Sequence, residues 1–193
     1  QYSYEKDYLS EFTDSGEALE KLETGVDRAV LSTDDPSVYR YDQMDTNSSE
    51  NSSMQMGTNS TAYYFSVASS SIANFFDEMY LNTPWEQHYN NLDGRTILDR
   101  LASVKYFVVK KGKESDLPYG YSRLSGEAEK NGKTYLAYAD EDALPLGYTY
   151  DSWISREDYD KMTVTEKQQA LLQGVVLDDS SLPETETHFN DRE

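Results

Sequence analysis

The two histidines of the sequence are His88 and His188, and it has no cysteine. Nucleophilic serine chemistry needs a histidine base that a carboxylate holds in place, and no serine stands in a G-x-S-x-G turn. The missing thiols exclude disulfides, zinc–thiolate sites and cysteine nucleophiles. Neither G-x-G-x-x-G nor G-x-x-x-x-G-K-[ST] occurs, so phosphate cradles of those kinds are excluded. Stretches 140–147 and 90–94 lack the spaced oxygen ligands of a calcium loop. Carboxylate pairs of the glycosidase kind carry no signal, because 36 Asp and Glu offer many accidental pairs. No catalytic constellation, cofactor or resident metal is expected.

Aromatic residues beside polar ones are more informative. Sugars lay their C–H faces on rings while amides and charged groups take the hydroxyls. Trp85, His88, Tyr89, Asn90, Asn91 and Arg95 fall within one stretch, 85–95, that reads as loop. They form a candidate sugar- or partner-binding set; the competing reading makes Trp85 and Tyr89 a lid on the core. A second loop, 46–61, is Ser, Thr or Asn at 11 of 16 positions, and loops on a rigid scaffold often carry recognition. Within it Asn47, Asn51 and Asn59 each begin an Asn-x-Ser/Thr triplet, which matters only where a secretory pathway modifies asparagine.

Regular elements must position these loops. Asp14 and Glu17 have capping-box spacing ahead of a helix over 15–23. Alternation over 37–44 predicts a strand, as do the β-branched and aromatic residues of 61–67. Ile72, Phe75, Phe76, Met79 and Tyr80 recur at helical spacing, predicting a helix over 71–81 with one buried face, stopped by Pro84. Ile97, Leu98 and Leu101 predict a helix over 94–103. It runs almost directly into 104–109, an apolar run expected to be a buried central strand on which that helix packs. Asn131-Gly132 marks a hairpin between strands in 120–126 and 133–141, and Pro145 marks 142–154 as extended, edge-like chain. Thr163 and Glu166 form another capping box, before a helix over 164–174 that Gly174 ends. Its Val164, Leu171 and Leu172 share a face with Val175, and 175–179 offers a short last strand. The expected fold is α+β: a mainly antiparallel mixed sheet with about four helices packed mostly on one face.

A chain of 193 residues suits a single domain, placed here at 1–177, and can bury roughly 70% of its unfolded surface. Residues 178–193 carry six acidic side chains and one Arg and are expected to be a surface or mobile tail. A net charge of −19 opposes nucleic-acid binding. The aromatic content of 13%, with 17 Tyr, opposes wholesale disorder. Lys105, Lys110, Lys111 and Lys113 gather in one stretch, either a local basic patch or a solvated turn. No run nears the roughly 18 apolar residues that cross a bilayer. The opening residues have neither the basic nor the apolar part of a signal peptide, and the chain reads as a piece of a longer protein.

The order of its segments resembles the extracytoplasmic region of the YfhO family of bacterial membrane proteins. The matching pieces are Tyr39-Arg40, the Asn/Ser-rich stretch from Asn51 to Gly57, Tyr63 to Ser66, Leu98 to Leu101, Val104-Lys105-Tyr106, Tyr135 to Tyr138 and Leu144-Pro145-Leu146. Together they span about residues 15–178. Two positions depart from the family's pattern: Leu101-Ala102-Ser103 stands where Leu-Gly usually precedes Val-Lys-Tyr, and Ala139-Asp140 replaces an Asn after the Tyr strand.

The resemblance implies a multi-pass protein similar to C-type glycosyltransferases. Such a protein takes a lipid-phosphate sugar donor and glycosylates lipoteichoic acid or a related polymer on the outer face of a Gram-positive cell envelope. This chain would then be an accessory or recognition domain at the extracellular face of the cell membrane, with the presumed catalytic machinery in the membrane part. Its expected partners are that membrane part of its own chain and an envelope glycopolymer or partner glycosyltransferase. Trp85, His88, Tyr89, Asn91 and Arg95, with Arg40, are the candidate contact residues. The alternative is a free-standing surface carbohydrate-binding module.

Overall fold

The apolar run after residue 103 dictates the centre of the molecule. In the computed structural model, which describes residues 14–17, 29, 31, 33–44, 51, 53–54, 57–83, 87–130 and 132–178, this run is strand β4 (Val104–Lys110), buried at most positions. Strand β1 (Arg40–Gln43) lies parallel to one side of β4, and β7 (Lys133–Ala139) lies antiparallel to the other. Two short strands, β5 (Ser122–Arg123) and β6 (Ala128–Lys130), both pair antiparallel with β7. A continuous apolar run suits a strand covered on both faces. Tyr106 and Val108 pack with Tyr41, Ala137 and Ala139 on one face, while Phe107 and Val109 pack with Tyr121 and Leu136 on the other.

The hairpin forms with a different first strand. Lys130 pairs with Lys133, leaving a two-residue turn in which Gly132 has φ 69, while Asn131 lies outside the described residues. A turn this tight fixes the register to the residues immediately flanking it. The partner nearest the turn is therefore β6, and the expected 120–126 segment contributes only β5, farther along β7.

Four helices are described: α1 (Ser70–Glu78), α2 (Thr96–Leu101), α3 (Arg156–Asp160) and α4 (Val164–Leu171). They share one cluster that includes Phe76, Met79, Leu98, Tyr159 and Ala170 and reaches the sheet at Val104. The fold is α+β with mostly antiparallel pairing, as the sequence predicts. Helix α3 is too short for its periodicity to be read; it connects α4 to a small parallel pair, β8 (Trp153–Ser155) and β9 (Val175–Leu177). Gly174 is required at the start of β9, because a Cβ there would lie 2.9 Å from the carbonyl oxygen of Ser152.

Three helical details differ from expectation. Helix α1 ends before Pro84, itself outside the described residues, through a left-handed Tyr80 (φ 49). The Leu81 N–H donates to the Phe76 carbonyl (2.9 Å) and the Tyr80 N–H to that of Asp77 (3.1 Å), a Schellman ending that buries Leu81 with Phe76. It turns Tyr80 outward, 79% exposed, and Ile72 is exposed as well. In α4 the buried positions are Lys167 and Ala170, while Leu172 and Val175 are exposed; the Lys167 ammonium lies 5.0 Å from the Tyr159 ring centre. Of the helix over 15–23 only the start is described, where the Asp14 N–H donates to the Glu17 carboxylate (3.0 Å); its remainder lies outside the described residues, as does the tail beyond Asp178.

Candidate functional site

The expected strand over 61–67 narrows to β2 (Tyr63–Tyr64), which pairs antiparallel with β3 (His88–Tyr89). Side chains alternate across such a ribbon, so its two cross-strand pairs separate. Tyr63 stacks on Tyr89 at 4.9 Å on the inner face, and Tyr64 stacks on His88 at 4.5 Å on the outer face. Tyr89 also meets the edge of Phe76 at 4.7 Å, tying the ribbon to α1. Burial holds the Tyr63 phenol above its ordinary pKa, with Tyr89 adding to the shift.

The Asn/Ser-rich loop seals the ribbon's edge. The Asn51 amide donates to the Tyr64 carbonyl (2.9 Å) and accepts from the Tyr64 N–H (3.1 Å), imitating a neighbouring strand. Asn59 donates to the Tyr39 carbonyl (3.2 Å), so both triplet asparagines that are described are engaged within the fold. Asn47 lies outside the described residues.

Between the ribbon and α1 runs a groove of about 390 Å³. Phe76 and Tyr89 form its apolar wall, and Ser66, Asp77, Thr83 and Gln87 supply polar groups. An apolar wall with a few placed polar groups is the usual make-up of a small-ligand site. Tyr64, on the ribbon's outer face, and Phe65, which follows it, are 41% and 59% exposed.

The sequence candidates divide accordingly. His88 lies on the outer face of the ribbon and Tyr89 lines the groove, whereas Trp85 lies outside the described residues. Asn90 and Asn91 are buried; the Asn91 amide donates to the Gln43 carbonyl (3.1 Å) and accepts from the Asp93 N–H (2.8 Å). Arg95 donates to the carbonyls of Met79 (2.6 Å) and Tyr80 (3.2 Å), satisfying groups that a helix end leaves open. Arg40 donates to the Ala102 carbonyl (2.7 Å) at the α2–β4 junction. The structure thus brings Tyr89 alone of these to the groove, leaves His88 on the opposite face of the ribbon, and uses Asn91, Arg95 and Arg40 as internal braces.

A buried acidic group escaped the sequence reading. Asp42 on β1 accepts from the Thr61 hydroxyl and the Gln43 N–H, and burial pushes its pKa up to about 7. Asp99 on α2 is fully buried, and neither carboxyl oxygen has a hydrogen-bond partner. Burial first, then the charges of Asp42 and Asp140, push it up to about 9, so it is a neutral acid at neutral pH. Asp140 differs because Arg100 grips it with two hydrogen bonds, 2.7 and 3.1 Å. A general acid must touch its substrate, and a fully buried Asp99 reaches no external molecule while the fold is closed. The hint in the sequence was position: an Asp next to Leu98 on a helix packed on a central strand has little room to be exposed. Among the described residues no three His, Asp or Glu side chains form a group able to hold a metal ion.

Residues 1–192 match the family model described as bacterial membrane protein YfhO. Over 157 residues the chain is 26% identical to a Bacillus subtilis (strain 168) protein named "Uncharacterized protein YfhO". That match covers 80% of this chain and 18% of the relative, so the chain spans only a small part of the relative's length. No solved structure matches. Among the described residues no helix is long and apolar enough to cross a membrane. On the family match across nearly its whole length, the chain belongs to the YfhO family of bacterial membrane proteins.

Proposed function

We propose that this chain is the extracytoplasmic accessory domain of a multi-pass YfhO protein that glycosylates lipoteichoic acid or a related envelope polymer. In this reading the membrane part carries the transfer chemistry with a lipid-phosphate sugar donor. The domain holds the acceptor, or a partner glycosyltransferase, at the extracellular face. The observation that carries the reading is the coverage: the chain aligns with 18% of a relative in a membrane-protein family. The charge agrees with it, since a body of net −19 is far too costly to place in hydrocarbon. The groove between α1 and the ribbon is where a sugar would lie, its hydroxyls on Asp77 and Gln87.

The test exploits the absence of cysteine in this chain. In the full-length parent, Glu129→Cys puts one thiol on an exposed strand position. A membrane-impermeant maleimide should add a label on intact cells that the parent without this substitution lacks. Labelling only after lysis would overturn the outer-face assignment. Deleting the domain should abolish sugar transfer to the polymer while leaving the membrane part inserted.

The second reading, a free-standing carbohydrate-binding module, draws on the exposed aromatic rings of Tyr64 and Phe65. It requires that the isolated chain bind glycans without any membrane part.

A further inference from the structure

The lysines that cluster in the sequence are sorted by the fold. Lys105 is taken by Asp35 (2.6 Å) and Lys111 by Glu127 (3.1 Å). Lys110 and Lys113 make no ion pair with any described residue, and both line one cleft of about 320 Å³.

The strand register explains the cleft. Strand β1 ends at Gln43, opposite Val108, while the parallel strand β4 continues through Val109 and Lys110. A step is left at the carboxyl end of the parallel pair, the side of open sheets where ligands commonly bind. Met44 and Val109 make its apolar wall. Tyr135 stands directly across the ladder from Lys110 with no hydrogen bond to its hydroxyl among the described residues. Asp116 adds one carboxylate, which accepts from the Ser115 hydroxyl at 3.3 Å.

Two ammonium groups with no ion pair to a described residue, against one carboxylate, give the described lining of the step a positive balance on a chain of net −19. Charges more than about 8 Å away are largely screened at physiological salt, so the local sign governs binding. The chemistry fits a phosphate ester of a polyol: ammonium groups and the Tyr135 hydroxyl for the phosphate oxygens, Asp116 to accept from a hydroxyl, and the apolar wall for the carbon chain. We propose that the cleft lined by Lys110, Lys113 and Tyr135 binds a polyol phosphate. The proposal rests on the cleft alone and does not depend on which side of the membrane the domain faces.

The experiment is an amide NMR titration of the 193-residue chain with three phosphates: inorganic phosphate, sn-glycerol 3-phosphate as the free monoester, and glycerophosphoglycerol as the diester of a polymer. Acetate serves as the carboxylate control. Saturable shifts confined to 43–44 and 108–116, with dissociation constants of roughly millimolar order, are expected for a glycerol phosphate. A stronger response to the diester assigns the site to polymer, and a stronger response to the monoester to a free metabolite. Lys110→Gln and Lys113→Gln should each weaken binding about fivefold. Lys111→Gln, whose ammonium is held by Glu127, should leave it unchanged. Absence of saturation with every phosphate, equal shifts with acetate, or indifference to Lys110→Gln and Lys113→Gln in chains with otherwise native spectra would overturn the proposal.

Discussion

Asp99 on α2 lies within electrostatic reach of Asp42 on β1, both carboxyls sealed from solvent, and only Asp42 has hydrogen-bond partners. The pair sits where helix and sheet join. An unpartnered carboxylate there would be far costlier than the neutral acid, so the fold holds a proton at Asp99. Asp140 and Tyr121 face the same group; Asp140 is neutralised by Arg100, and Tyr121 donates to the Val104 carbonyl (2.8 Å).

Stability should therefore rise as pH falls. Asp99 has a folded pKa of about 9 and Asp42 of about 7, both above the ordinary aspartate value of 3.8. Between the unfolded and folded values the native state binds the extra proton, so stability declines with rising pH. Each group contributes a slope of up to about 1.4 kcal/mol per pH unit. Urea unfolding from pH 5.5 to 8 should show this decline, and Asp99→Asn should flatten it and stabilise the protein at pH 8. Parallel curves for the two proteins would refute the assignment.

Ser103 occupies a left-handed backbone conformation, φ 60, in the two-residue link between α2 and β4. Its carbonyl accepts from the Arg40 N–H (2.8 Å), which fixes that geometry. Glycine adopts this conformation without a Cβ penalty. Ser103→Gly should stabilise by roughly 0.5–1 kcal/mol and Ser103→Val should destabilise by more, both read as shifts in the thermal midpoint.

Thr163 and Glu166 cap α4 reciprocally: the Thr163 N–H donates to Glu166 at 2.8 Å and the Glu166 N–H to the Thr163 hydroxyl at 3.4 Å. Thr163→Ala should cost about 1 kcal/mol by chemical denaturation. The loss should spread to the β8–β9 pair, since α4 feeds β9 directly, and backbone hydrogen exchange at Val175–Leu177 should rise with it.

The two faces of the aromatic ribbon should respond differently to truncation. Tyr89 is buried between Tyr63 and Phe76, so Tyr89→Ala should cost about 3 kcal/mol or more of stability. Tyr64 is half exposed, and Tyr64→Ala should cost below about 1 kcal/mol. Only the Tyr64 variant can separate a role in glycan binding from a role in folding. Equal losses in urea denaturation would contradict the alternation drawn for the ribbon.

The sequence by itself determined what depends on neighbours along the chain. The apolar run 104–109 is a central strand, Thr163 and Glu166 form a capping box, and Leu98 turns inward, because periodicity and capping act over three or four residues. Tertiary structure alone decided the pairings across distance. Asp35 takes Lys105 from 70 positions away, leaving Lys110 and Lys113 to their cleft. Asp140 takes Arg100 across 40 positions, while Asp99 next to that arginine in sequence goes without. His88 and Tyr89 become a ribbon only because Tyr63 and Tyr64 lie alongside, and Asn91, which looked like a ligand-binding amide, is consumed by the Gln43 carbonyl 48 positions earlier. The physical reason is that a polar side chain's partner is whichever complementary group the packed chain brings within about 3 Å, and nothing local in the sequence encodes that choice.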